Sequence, residues 1–172
     1  VQAWIDGVWQ DVHEIVPEDD RPIMALFSET EASQWRIALS GYTGQPSVGI
    51  VNIGQAMRLQ RNIYVGHSPI NLSRNTNIKP NISMGGQFLG RSIQRRGAET
   101  SIVIGNLTPE WYRETFDPFV QYARTGAFFW SWRPSDYENE VGYVWTTDDI
   151  APSNQRNNGM MQVSFRVEGI TE

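Results

Sequence analysis

Only one segment of this sequence has the apolar spacing of a helix, and it lies in TPEWYRETFDPFVQYAR, residues 108–124. Thr108 can cap the helix and Pro109 suits its first position, where a missing N–H costs nothing. Pro118 in the middle predicts either a kink or a restart with Asp117 as a new cap. One face of this helix carries five apolar side chains, namely Tyr112, Phe116, Phe119, Val120 and Ala123.

The other apolar segments are short and are separated by turn residues, which favours strands. The first is AWIDGVW, in which Asp6-Gly7 is a hairpin-turn signal between apolar flanks. We therefore expect a mainly β protein, a small antiparallel β-sandwich or split barrel with one helix packed on it. The other predicted strands are PIMALF (22–27), WRIALS (35–40), AMRLQRNIYVG (56–66), ETSIVIGNL (99–107), AFFWSW (127–132), VGYVWTT (141–147) and MMQVSFRV (160–167).

Two segments rich in turn-forming or polar residues suggest how the chain is divided. SGYTGQPSVG, residues 40–49, has the Gly, Pro and Ser content of a linker. We expect residues 1–45 to form an acidic N-terminal arm or small β subdomain, and residues 46–172 to form the main β domain. HSPINLSRNTNIKPNISMGG, residues 67–86, is predicted to be a long polar loop that becomes ordered against a partner.

The charged residues are unevenly distributed along the chain. Residues 1–34 hold eight acidic residues and one Arg, whereas residues 32–98 contain no Asp or Glu and eight cations. An acidic segment of one copy could meet the basic segment of the next, the basic segment could face nucleic acid, or folding could simply mix the two. The candidate interface residues are Arg58, Arg61, Arg74, Lys79, Arg91, Arg95, Arg96, Asp19 and Asp20.

Composition excludes several classes of site. The chain has no cysteine, so disulfides and thiolate zinc sites are ruled out. No apolar run approaches the roughly 20 residues of a membrane span, and the first residues lack the pattern of a signal peptide. We therefore expect a soluble protein of a reducing compartment, with no membrane insertion.

No motif predicts a catalytic residue, a cofactor or a metal. Residues 85–92 have the glycine spacing of a phosphate loop, but Arg91 replaces its Lys and a strand is expected to follow. His13 and His67 lack the close spacing of metal ligands. No serine lies in a nucleophile-elbow pattern.

The segment 130–149 could instead carry sugar chemistry. Its carboxylates are interleaved with aromatic rings, which suits either a glycosidase or a carbohydrate-binding platform. The simpler interpretation makes Asp148-Asp149 a turn and the aromatic side chains core. The acidic residues are Asp136, Glu138, Glu140, Asp148 and Asp149, and the predicted structural aromatic core is Phe128, Phe129, Trp130, Trp132 and Trp145.

The order of segments after Leu107 resembles the minor tail protein M type of lambda-like phages and the wider distal tail protein family of long-tailed phages. A helical insert leads into the aromatic strand AFFWSW, a turn beginning Arg133-Pro134, and two closing strands ending near Glu168. MRLQRNIYVG (57–66) and QFLGRSIQRRGAETSIVI (87–104) are similar to the family's early strands and the long loop that joins them. The resemblance covers about residues 55–168, and the acidic residues 1–40 have no counterpart in the small lambda-type member.

The resemblance implies a virion protein without chemistry of its own, assembled in the bacterial cytoplasm. It implies a ring, usually of six copies, that joins the tail tube to the distal tip and leaves a channel through which phage DNA passes. The implied partners are copies of the chain itself, the tail tube protein, the tape measure and the tail-tip hub proteins. A carbohydrate-binding module on the same β fold is the alternative function, followed by a nucleic-acid binder and a hydrolase.

Overall fold

The computed structural model describes residues 1–17, 19–63 and 66–170. It divides into two compact units, an N-terminal unit of residues 1–19 and 25–57 and a main unit of residues 20–24 and 58–172. The strands are β1 (Gln2–Ile5), β2 (Val8–Asp11), β3 (Trp35–Arg36), β4 (Arg74–Ile82), β5 (Phe88–Leu107), β6 (Phe128–Ser131), β7 (Val141–Thr146), β8 (Pro152–Asn154) and β9 (Met161–Ile170). The helical elements are a 3₁₀ turn (Ile70–Leu72), α1 (Pro109–Trp111), a π-helical turn (Tyr112–Phe116) and α2 (Asp117–Ala123).

The N-terminal unit is built on the predicted hairpin. Asp6 and Gly7 have φ values of 51° and 82°, the left-handed conformations that a tight two-residue hairpin turn requires. The turn pairs β1 with β2 and places the Trp4 and Trp9 rings 5.2 Å apart, edge to face. β3 adds to the other side of β1. The hairpin prediction is confirmed.

The main unit contains a six-stranded antiparallel sheet in the order β4-β5-β9-β7-β6, with β8 also paired to β9. Alternate residues of β5 and β9 face the core, as in the pair Ile102 and Phe165. These side chains and the fully buried Phe116 of the π-helical turn form its centre. The predicted mainly β class with one packed helical segment is confirmed, and within residues 66–170 the sheet does not close into a barrel.

The helical segment begins where the sequence predicts. The Thr108 hydroxyl accepts a hydrogen bond from the Trp111 N–H at 3.4 Å, and Pro109 occupies the first turn. Ahead of Pro118 the backbone widens into the π-helical turn, which ends with the Asp117 N–H donating to the Tyr112 carbonyl. A wider turn accommodates a proline that cannot donate and would otherwise clash with the preceding turn. Asp117 itself is helical, so the alternative of a restart capped by Asp117 is wrong.

Three strand predictions near the N-terminus are corrected. Residues 22–27 form no strand, and in residues 35–40 only Trp35–Arg36 does. Residues 56–63 and 66 are also outside any strand, while Tyr64 and Val65 lie outside the described residues. In this segment the Gln60 side chain donates to the Thr108 hydroxyl at 3.0 Å and accepts from the Thr108 N–H at 2.9 Å, which ties it to the start of the helical segment.

The 3₁₀ turn packs against the sheet through a glycine. Ile70 is 1% exposed, and a Cβ added at Gly142 of β7 would lie 2.8 Å from the Ile70 Cγ1. Only a residue without a side chain lets the turn approach so closely. Residues 67–72 therefore pack over β7.

We expect Gly142→Ala to lower the free energy of unfolding by roughly 1–3 kcal/mol, because the new methyl group must displace Ile70. The measurement is urea unfolding, read as a lower midpoint at an unchanged m-value. Gly97→Ala is the matched control, because the nearest atom to its added Cβ is 3.5 Å away. Equal midpoints for the two variants would show that residues 67–72 do not pack on β7.

Candidate protein interface

The longest strand of the sheet, β5, extends well beyond the rest of the main unit, here called the body. β5 pairs with β9 only from Ala98 onward, and residues 88–97 pair with β4 alone. Together β4, the connecting turn and residues 88–97 form a two-stranded hairpin, here called the ribbon. Within the described residues no strand lies along its outer edges. The prediction of a structureless loop over residues 67–86 is therefore wrong, because most of that segment is β4 and the turn after it.

The turn at the end of the ribbon also accounts for the glycine pattern at residues 85–92. The Gly86 N–H donates to the Ser83 carbonyl, and the Gln87 N–H donates to the Ser83 hydroxyl at 3.0 Å. This is a tight connection between antiparallel strands. No helix follows it, so its N–H groups do not form the cradle of a phosphate loop.

One face of the ribbon, here called its apolar face, exposes large apolar side chains toward its outer end, together with Arg91 between them and Arg74 and Arg96 nearer its base. Ile78 lies opposite Ile93 and Ile82 lies opposite Phe88, and paired residues of antiparallel strands point to the same side. These four side chains are between 41% and 65% exposed, and Met84 at the turn is fully exposed. The opposite face carries Asn75, Asn77, Lys79, Asn81, Ser92 and Arg95. The large apolar side chains of the ribbon are therefore grouped on this face, and nothing within residues 66–170 covers them.

Two irregularities in β5 create this face. The register shifts between Asn77 and Ile78 and again between Asn81 and Ile82, so β5 holds an extra residue at each point. Phe88 and Ile93 are an odd number of residues apart and would lie on opposite faces of a regular strand. Gly90, with φ of 139°, permits the second shift. The shifts keep the apolar face in line with Ala98, which is buried in the body.

Contacts at its base anchor the ribbon to the sheet. The Glu99 carboxylate accepts a hydrogen bond from the Asn75 amide at 2.8 Å and pairs with the Arg166 guanidinium at 3.2 Å. Arg95 pairs with Glu168 of β9 at 3.3 Å. These contacts fix the direction in which the ribbon leaves the sheet, and none of them lies near the apolar residues at its far end.

The ribbon gathers most of the predicted interface cations. Residues 74–97 contain five cations and no acidic residue, a combination that gives the ribbon a strongly positive field. Arg61 is elsewhere, donating to the Asn106 carbonyl at 3.4 Å, and Arg58 also lies outside the ribbon. Asp19 belongs to the N-terminal unit and Asp20 to the main unit. The five cations brought together are Arg74, Lys79, Arg91, Arg95 and Arg96.

The predicted aromatic core is divided between interior and surface. Phe128 and Trp130 are buried, and Phe128 packs against Phe119 of α2 with ring centroids 4.9 Å apart. Phe129, Trp132 and Trp145 are partly exposed. The aromatic strand therefore packs on the helix through its inward-facing residues.

The carboxylates of the 130–149 region do not converge on a shared site. Asp136 pairs with Arg133 at 3.7 Å and Asp149 with Arg124 at 3.3 Å. Asp148 accepts a hydrogen bond from Thr147, and Glu140 accepts one from Trp132. Each of these four acidic groups thus has its own partner. Across the described residues, no three His, Cys, Asp or Glu side chains are grouped to hold a metal ion.

The two histidines have separate environments. His13 stacks on Phe27 in the N-terminal unit, with ring centroids 5.9 Å apart. The His67 Nδ1 lies 3.1 Å from the Ser101 carbonyl in the main unit. In the described part of the chain, no helix is long and apolar enough to cross a membrane.

Comparison with known proteins found no matching family model, no similar curated protein and no similar solved structure. The most unusual surface of this chain is the ribbon, whose group of exposed large apolar side chains is typical of a surface that another protein covers.

The outer edge of β4 gives a direct test of this interpretation. Lys79 and Pro80 lie on that edge, and both residue types hinder unwanted strand pairing. We expect Pro80→Val to shorten the lag before aggregation, because it restores a backbone donor to an exposed β-strand. Thioflavin fluorescence at fixed protein concentration measures the lag. Pro46→Val, at an exposed position outside any strand, is the control, and equal lags would mean that β4 is not an open edge.

Proposed function

We propose that this chain is a structural virion protein of a phage tail, which forms a ring between the tail tube and the distal tip. The observation that carries the proposal is the ribbon, which presents an apolar face that one copy leaves uncovered. The ring leaves a central channel through which DNA passes. The protein acts by assembly in the virion and performs no chemistry.

The order of elements in the main unit supports this assignment. The helical segment of residues 109–123 leads into the aromatic strand β6, the turn at residues 133–140, and the closing strands β7 and β9. This is the order in which the sequence resembles distal tail proteins. The tail tube protein, the tape measure and the tail-tip hub proteins are the neighbours that such a position provides.

The asymmetry of the chain favours a ring over an isolated dimer. The basic ribbon and the acidic N-terminal unit are different surfaces, and a contact between different surfaces of identical copies repeats head to tail. When the rotation per copy divides a full turn evenly, such contacts close into a ring. At physiological salt the Debye length is about 8 Å, so salt only partly screens two opposite charges that lie in direct contact. Such charge pairs therefore still stabilise the contact between copies.

Native mass measurement and negative-stain electron microscopy of the purified full-length chain test the proposal. We expect closed rings with a central opening, and detection of the chain in purified virions by mass spectrometry. A chain that stays monomeric at all accessible concentrations and is absent from particles contradicts the proposal.

A carbohydrate-binding module is the second candidate, and one surface feature favours it. Tyr137 is 49% exposed, and its ring lies nearly parallel to Trp132 with centroids 6.2 Å apart. An exposed aromatic ring face can stack on a sugar. This function predicts glycan binding that Tyr137→Ala abolishes and that Tyr122→Ala, at a similarly exposed ring, leaves unchanged. Absence of binding in a glycan array removes this candidate.

A further inference from the structure

We propose that the apolar face of the ribbon docks on the N-terminal unit of a second copy, along residues 48–53. This inference rests on the proposed self-assembly and adds to it the two surfaces that meet. The ribbon supplies Ile78, Ile82, Phe88 and Ile93. The receiving segment supplies four aliphatic side chains, namely Val48, Ile50, Val51 and Ile53.

The receiving segment has its own uncovered apolar surface. Its four aliphatic residues are between 39% and 53% exposed, although they lie within only six positions. Residues 37–57 form no strand or helix, so these side chains project from irregular backbone. An extended chain of this length spans about 17 Å, and the ribbon from Ile78 to its turn spans about 20 Å. The two apolar surfaces are therefore comparable in length.

The charges of the two surfaces are opposite. The N-terminal unit contains seven acidic residues and a single cation, Arg36, whereas the ribbon contains five cations and no acidic residue. Arg36 is engaged within its own unit, with its guanidinium 4.3 Å from the centre of the Trp9 ring and its Nε donating to Gln2. The unit therefore meets the ribbon with a negative surface.

One acidic residue lies beside the receiving segment. The Gln55 amide donates to the Glu29 carboxylate at 3.3 Å, which places that carboxylate close to the end of the aliphatic run. On the ribbon, Arg91 lies opposite Pro80, on the apolar face between the Ile78–Ile93 and Ile82–Phe88 pairs. Arg74 and Arg96 lie on the same face of the ribbon, nearer its base. Each surface thus combines apolar side chains with charge, and the charges are opposite in sign.

The identity of the partner follows from the chain carrying both surfaces. Every copy offers one ribbon and one receiving segment, so each copy can donate to one neighbour and accept from another. A contact of this kind is heterologous, because it joins two different surfaces, and it repeats from copy to copy until a ring closes. A second copy is therefore the partner whose chemistry is complementary without any additional component.

A complementation experiment with two full-length variants tests the docking. The ribbon variant Ile82→Asp with Phe88→Asp keeps its receiving segment, and the acceptor variant Ile50→Asp with Val51→Asp keeps its ribbon. Because each buries a carboxylate in an apolar contact, we expect each alone to associate at least about tenfold more weakly than the unchanged protein. Mixed in equal amounts, they share one intact contact, and native mass spectrometry should detect two-copy complexes containing one of each.

One control variant and a charge swap complete the experiment. The control Leu72→Asp introduces one aspartate at a residue that is 56% exposed but lies outside both surfaces. This variant should assemble normally. Arg91→Glu and Glu29→Arg should each weaken assembly, and the two changes in one chain should restore it. Circular dichroism verifies that every variant is folded.

The outcomes separate this inference from the function on which it rests. If the ribbon variant dissociates while the acceptor variant still forms rings, the ribbon docks elsewhere and the inference is overturned, but the ring remains. If the unchanged protein is monomeric and absent from virions, the proposed function is overturned as well. If a monomer shows its own ribbon protected by its own residues 48–53, docking within one chain replaces docking between copies.

Discussion

The uncovered apolar face of the ribbon is the constraint on which the account of this protein depends. A sheet gains stability by burying one face, and β5 does so from Ala98 to Leu107, where it pairs with β9 beneath the helical segment. The same strand continues outward with β4 as its single partner. Isolated two-stranded hairpins are marginal in water. The body of the protein therefore supports a ribbon whose apolar side chains residues 66–170 leave uncovered.

The two parts of β5, one in the body and one in the ribbon, also differ in the charged residues around them. Acidic residues of the body hold the base of the ribbon, as Glu99 does with Asn75 and Arg166, whereas residues 74–97 carry only cations. Like charges on a narrow hairpin repel one another and oppose the pairing of two ribbons face to face. The cations therefore favour an acidic partner and act against non-productive association through the same apolar side chains. Most of them are arginines, which suit hydrogen-bonded contacts at interfaces.

Much of the fold follows from local sequence, but the ribbon does not. The Asp6-Gly7 turn, the Thr108 cap and the alternation in β9 are each decided by a few neighbouring residues, and all are confirmed. Residues 67–86 were predicted as a loop because their apolar content is low, yet β4 is an exposed edge strand that does not need apolar side chains. The sequence pattern also hides the apolar face, because the register shift beside Gly90 breaks the two-residue period between Phe88 and Ile93. The cations were identified from the absence of acidic residues, but their common location depends on long-range pairing.

The measurement closest to the central claim is amide hydrogen exchange of the ribbon as a function of protein concentration. If other copies cover the ribbon, exchange at residues 75–82 and 88–96 slows as the protein assembles, while exchange at residues 99–107 in the body stays slow throughout. Ribbon amides that exchange at one rate across the whole concentration range, in a chain that also remains a single copy, would contradict the account.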